Sequence, residues 1–315
     1  GTVSMGGMAS LGASSVVIDP KGVFQLEGTN DVNFPLPLVG GGLFNVTTTG
    51  VVTLNAAAGN FGGAITDSAG TLRVVNNGAL GGTGSNVTIS NGATLDVFGN
   101  NATVNKQFVV SGTGVGGLGA IVNSSTTAAT NFIRNLRLAG DTTIGGANRF
   151  DLFDQGSGNY GLLDMGGYTL TKTGAGFVKI SYVAPVANVG NIVINGGQLS
   201  IEATTDLGQS TGKTITINNG GQLNFYSTVA RNNAGIIIND GGTLFNQNAN
   251  MIWYGNVTGN VGTSIINTGG LNTGNDIKIA GSLIGAGTVA KTGNSYLFIL
   301  GDSSTFTGTL REIGR

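Results

Sequence analysis

Arg149, Asp151 and Asp154 lie in the stretch RFDLFDQ, with Asp164 shortly after. Paired carboxylates of this kind are what a β-helical glycoside hydrolase uses, one acid protonating the leaving oxygen while the other activates water. Spacing argues against that use here. Asp151 and Asp154 are three positions apart, so on a strand they project to opposite faces unless a turn intervenes. They read as solvent-facing acids of strands and corners, and no catalytic residue is assigned.

Other stretches carry weaker chemical signals. GGLNTGNDIKI (269 to 279) is similar to the calcium-binding nonapeptide GGxGxDxUx, in which corner carbonyls and Asp oxygens of consecutive repeats enclose the ion. Its spacing is wrong by two residues and no second copy follows, so a Gly-Asn corner is preferred and no metal site is assigned. Met251-Ile252-Trp253-Tyr254 holds the sole Trp and could stack on a sugar ring. Alternation sets Met251 and Trp253 on one face and Ile252 and Tyr254 on the other, which favours packing for one pair. Asn45, Asn86, Asn101, Asn123 and Asn256 begin Asn-x-Ser/Thr triplets, acceptors only in a eukaryotic secretory pathway. With no His and no Cys, triads and metal sites built on either are excluded. No cofactor is implied.

These residues must be positioned by a chain of unusual composition. Of 315 residues 58 are Gly and 4 are Pro; 40% are hydrophobic and 9% charged. That is enough apolar material for a continuous core, with frequent turns and no collagen triplet. A net charge of -1 with Lys and Arg scattered singly offers no patch for nucleic acid. No apolar run reaches the ~18 residues of a membrane helix. The chain opens Gly1-Thr2-Val3 without an initiator Met or signal peptide, and it reads as a mature piece or a fragment.

Internal repeats organise the sequence. ITINNGGQLNF (215 to 225) aligns in character with VTISNGATLDV (87 to 97), IIINDGGTLFN (236 to 246), IVINGGQLSI (192 to 201) and ITDSAGTLRV (65 to 74). Ile192, Ile215 and Ile236 head successive copies, which gives a unit of about 22 residues. The NNGG between two alternating segments resembles a hairpin turn. IVINGGQLSI, however, has one residue fewer at that turn. A tight hairpin would change register with such a change in length, whereas a solenoid corner lets the extra residue loop outward. The spacing therefore predicts an all-β, right-handed parallel β-helix (β-solenoid), with a hairpin-rich sandwich or barrel as the alternative. Coils of roughly 22 residues, each with about three short strands, would stack at ~4.8 Å, about 14 of them making a rod on the order of 65 to 70 Å. Ile217 is expected to stack near Ile238 and Val193, and Leu223 near Leu244 and Leu199. Asn219 and Asp240 are expected to accept local bonds at the corners and to tolerate left-handed geometry, with the Gly beside each taking positive φ. Residues 1–315 form a single solenoid in this reading, with 1–60 a less regular end and 61–315 the repeat region. The most irregular part, 102 to 165, is where a projecting loop is sought.

Residues 166 to 201, from GGYTLTKTGAGFVKI to NIVINGGQLSI, resemble the autotransporter-associated β-strand repeat. GSLIGAGTVAKTGNSYLFILGDSSTFTGTL (281 to 310) looks like a second copy with KTGNS in place of KTGAG, and 79 to 97 is similar to a linking segment. The resemblance covers about half the chain. It implies a right-handed β-helix passenger region exported to a bacterial surface, and implies fold and compartment more than activity. The C-terminal membrane barrel of such proteins is absent from this sequence.

The expectation is a non-enzymatic extracellular rod of a bacterial surface, an adhesin stalk or a fibre subunit, with a carbohydrate-active β-helix enzyme as the alternative. Partners would be like copies or neighbouring segments joined end to end, since no polar cap is visible at either terminus. A carbohydrate or host-surface ligand would be a further partner; neither nucleic acid nor membrane insertion is expected.

Overall fold

The computed structural model describes residues 1–6, 11–58, 60–101, 104–153, 160–183, 185–208, 210–227, 232–249, 251–269 and 275–313. It is an all-β parallel β-solenoid of about 13 coils of roughly 22 residues, close to the expected 14. Among the described residues the one helical piece is the 3-10 turn Val115–Gly117. Strand propensity explains this: Val, Ile and Thr are frequent in the short segments, and Gly and Asn are frequent in the turns between them. The chain divides into two compact units, Gly1–Asp154 and Gln155–Arg315.

In the first unit one face is the parallel ladder Val23–Glu27, Leu43–Val46, Ala64–Asp67, Val87–Ile89, Val104–Gly112 and Ala129–Gly145. A second face runs through Val32–Phe34, Val51–Leu54, Gly70–Val74, Ala93–Asp96 and Ile121–Val122. A third is short, with Val16–Ile18 on Leu38–Gly40 and a bridge from Gly40 to Phe61. The interior is aliphatic, with Phe24, Phe34 and Phe44 in mutual contact at centroid distances of 5.5 to 6.2 Å. The region that looks irregular in sequence, 102 to 165, includes a long strand, Ala129–Gly145, whose pairing with Val104–Gly112 shifts register twice.

The second unit repeats the plan. One face stacks Leu170–Lys172, Ile192–Ile194, Thr214–Ile217, Gly235–Ile238, Val257–Gly259 and Leu283–Ile284 without a register shift. The next carries Phe177–Ser181, Gly197–Glu202, Gly221–Tyr226, Thr243–Asn248, Thr263–Asn267, Thr288–Thr292 and Thr309–Glu312. The third holds Met251–Trp253, Ile277–Ile279 and Leu297–Ile299.

The one-residue difference between coils lands where a corner would absorb it. Ile194 pairs with Ile217 and Gly197 with Gly221, so Asn195-Gly196 in one coil faces Asn218-Asn219-Gly220 in the next and both flanking strands keep register. Two details differ from expectation. Ile217 stacks on Ile194 and Ile238, while Val193 pairs with Thr216 on the outer surface; inward positions follow the pleat, and Val193 is one residue out of phase. At the corners Gly220 (φ 74°) and Gly241 (φ 73°) are left-handed as expected, but Asp240 does not bond locally. Asp240 Oδ1 instead accepts the Thr263 N–H of the next coil at 2.7 Å. Gly221 is required for another reason: a Cβ there would lie 2.5 Å from the Ile194 carbonyl oxygen.

Leu199, Leu223 and Leu244 form an inward ladder with no exposed surface, each contributing about 1.5 to 3 kcal/mol by burial. Gln222, one residue before Leu223, is partly exposed. Leu223→Asp is therefore expected to lower stability by about 4 kcal/mol or more, and Gln222→Asp by about 0.5 kcal/mol or less. Urea unfolding of both variants checks this, and equal midpoints would contradict the inward placement.

Candidate functional site

Of the acids singled out in the sequence, the two that are described each have a structural role of their own. Asp151, 1% exposed, accepts from Arg149 Nε at 2.9 Å and Nη2 at 2.7 Å. It was expected to face solvent, but the bidentate guanidinium beside it permits its burial. Asp154 lies outside the described residues. Asp164 belongs to the other unit, where its Oδ1 accepts the Gly166 N–H and the Asn188 Nδ2 amide, both at 2.9 Å, bracing neighbouring coils. Among the described residues no three acidic side chains converge on one point.

The remaining candidates are also accounted for locally. Of 269 to 279, Gly269 donates to Asn267 Oδ1 at 2.8 Å and Asp276 Oδ1 accepts the Tyr296 N–H at 3.0 Å; residues 270–274 lie outside the described set. Trp253 is buried with Met251, donates Nε1–H to the Ala234 carbonyl at 2.8 Å and meets the Phe225 ring at 5.5 Å. Ile252 and Tyr254 point outward. Of the five Asn-x-Ser/Thr residues, Asn123 is wholly buried and donates to the Thr127 and Arg149 carbonyls. Asn45 bonds Gln25, Asn101 accepts from Thr130, and Asn256 accepts from Ser282. Asn86 passes its backbone carbonyl to Ile65 of the coil before.

Four features escaped the reading of the sequence. The first is the Lys of the KTG segment. Lys172 takes an inward position, paired with Ile194, and its Nζ donates to the carbonyls of Thr173, Gly174 and Gly196, each at 2.9 Å. Burial pushes its pKa down to about 8, so near neutral pH it remains largely the cation that these three carbonyls require. Lys291, in the second KTG, repeats the bond to its own corner, Gly293 O at 2.8 Å, and adds Glu312 at 3.2 Å. The motif is a cationic plug for a corner whose carbonyls turn inward. The second feature is Lys106, buried without a carboxylate partner; it donates to Gly63 O at 2.7 Å and Ser85 O at 3.3 Å over the Phe61 ring.

The third is Asp67, in line between Val46 and Ile89 where the ladder is otherwise aliphatic. It is fully buried, and neither carboxylate oxygen has a partner in hydrogen-bonding geometry. Burial drives its pKa up to about 8, only partly opposed by the nearby amides of Ala69 and Leu72. The fourth is an amide ladder: Asn218 donates to Asn195, Asn239 to Asn218 and Asn260 to Asn239, one step per coil. Adjacent Asn residues at one repeat position were visible in sequence, but their polarity along the stack was not.

Comparison with protein-family models, curated proteins and solved structures gave no match.

Asp67 makes stability depend on pH with a definite sign. An unfolded chain ionises it near its ordinary value of 3.8, whereas the folded chain holds the proton until about 8. Between those values the native state binds more protons, so stability falls as pH rises and levels off above 8. Asp67→Val is expected to remove a loss on the order of 5 kcal/mol across this range, measured as the difference in urea stability between pH 4 and pH 8. An identical pH profile in the two proteins would show that Asp67 is ionised in the folded state.

Proposed function

We propose that this chain is a non-enzymatic structural segment of an exported bacterial surface protein, the stalk of an adhesin or the subunit of an extracellular fibre. One observation carries the reading: the side chains best suited to chemistry are engaged in bonds within a coil or between coils. Asp151 is clasped by Arg149, Asp164 braces Asn188, and Lys172 fills a carbonyl cage. The few charges and the frequent Gly corners fit such a role, as does the resemblance of the KTGAG and KTGNS segments to autotransporter-associated repeats. End-to-end contact with like copies or with neighbouring segments of a longer chain suits stacked coils, whose edge strands carry unpaired backbone groups. A glycan or host surface would then be met by the assembly rather than by a cleft.

The test is a panel of polysaccharides incubated with the purified protein and with Asp164→Asn, read by reducing-sugar release and by ultraviolet absorbance of unsaturated products. Neither protein is expected to cleave any member. Cleavage by the parent that disappears in Asp164→Asn would overturn the reading. Asp151→Asn is unsuitable as a second variant, because it leaves Arg149 without its buried partner, an ion pair whose disruption is costly.

A further inference from the structure

One face of the second unit has a surface that its structural role does not require. Along the ladder from Leu170–Lys172 to Leu283–Ile284 the central outward position reads Thr171, Val193, Thr216, Ile237, Thr258, Ile284, coil by coil and in unbroken register. Hydroxyl and hydrocarbon alternate, every residue is β-branched, and each is partly exposed. The column beside it is the amide ladder from Asn195 to Asn260, whose members bond one another across coils. On its other side stand Thr169, Asn191, Thr214, Gly235, Asn256 and Ser282. None of these residues carries a charge or an aromatic ring. The corresponding column of the first unit, Gln25, Asn45, Thr66, Thr88, Val109 and Arg137, ends on a cation.

We propose that this face of the second unit binds ice. Its side chains form a two-dimensional grid, repeating by ~4.8 Å from coil to coil and by ~6.6 Å along each strand. Such spacings fall in the range of the lattice repeats of hexagonal ice. The grid is stiff, because β-branched side chains have few rotamers and the amides are tied in a chain. Methyl groups restrict the orientation of first-shell water, and the interleaved Thr hydroxyls can anchor that ordered layer. A charged residue would hold a hydration shell incompatible with the lattice, and the face has none.

The alternatives fit less well. Crystalline polysaccharide is gripped through aromatic stacking, which this face cannot provide. A second copy would gain about 500 Å² per partner from six coils and five residues of strand, below the roughly 800 Å² usual for a stable interface. The inference goes beyond the structural role proposed above and does not depend on it.

Inhibition of ice recrystallisation by the 315-residue chain is the test, with Thr216→Lys and Thr258→Lys as variants of the face and Gln222→Lys as a control on the neighbouring face. Circular dichroism and melting establish that each is folded. The parent and Gln222→Lys are expected to keep ice grains small, and both face variants to lose this at the concentration where the parent is fully active. A folded parent without effect on grain size would overturn the proposal, as would face variants that retain the parent's activity. Adsorption to crystalline cellulose or self-association through this face, with no effect on ice, would overturn it equally.

Discussion

Parallel stacking of one coil on the next is the constraint on which the rest of this structure depends. A coil of about 22 residues cannot bury its own apolar side chains; it becomes stable only when the coils above and below supply both the backbone partners and the rest of the core. Each inward position must therefore be filled by something compatible with its neighbours along the ladder, as Leu199, Leu223 and Leu244 are. Register is the quantity protected: the corner between Ile217 and Gly221 accommodates Asn219 while both flanking strands stay in register. Register slips twice between Val104–Gly112 and Ala129–Gly145, where the repeat is hardest to see in the sequence, and once at the end of Gly221–Tyr226, where Tyr226 pairs with Asn248.

The same constraint explains the fate of the polar residues. A polar side chain in a stacked coil has a counterpart one coil away, so amides join into the chain from Asn195 to Asn260. Lysines take inward corner positions because Gly-rich corners present carbonyls there, and Lys172 satisfies three at once. Asp67 is the exception, a lone acid in an aliphatic ladder that remains neutral near pH 7 because the nearby amides of Ala69 and Leu72 only partly offset the cost of burying its charge.

Much of this was legible in the sequence, and the reasons are physical. Period and corner composition reveal a solenoid because every coil solves the same packing problem with similar residues, so repetition survives where local signals are ambiguous. Comparing IVINGGQLSI with ITINNGGQLNF separated a corner from a hairpin through register alone. Side-chain destinations were harder to read. Val193 and Ile194 are equally plausible core residues until the pleat is fixed, and Asp151 looks exposed until Arg149 is seen to fold back on it. The roles of Lys172 and Asp67 depend on which carbonyls or methyl groups the adjacent coil presents, information carried about 22 residues away in the chain.

The central claim is that Thr216 and Ile237 lie side by side on successive coils, and the lack of native cysteine allows a clean test by cross-linking. In a parallel ladder directly paired residues have Cα atoms about 5 Å apart, within the span of a disulfide. With Thr216→Cys and Ile237→Cys introduced together, mild oxidation should give an intramolecular bond in nearly all molecules, with the circular dichroism of the parent retained. Failure of that pair to bridge, with ready bridging of Thr216→Cys to Leu223→Cys across the NNGG turn, would mean a hairpin and would contradict the stacked-coil account.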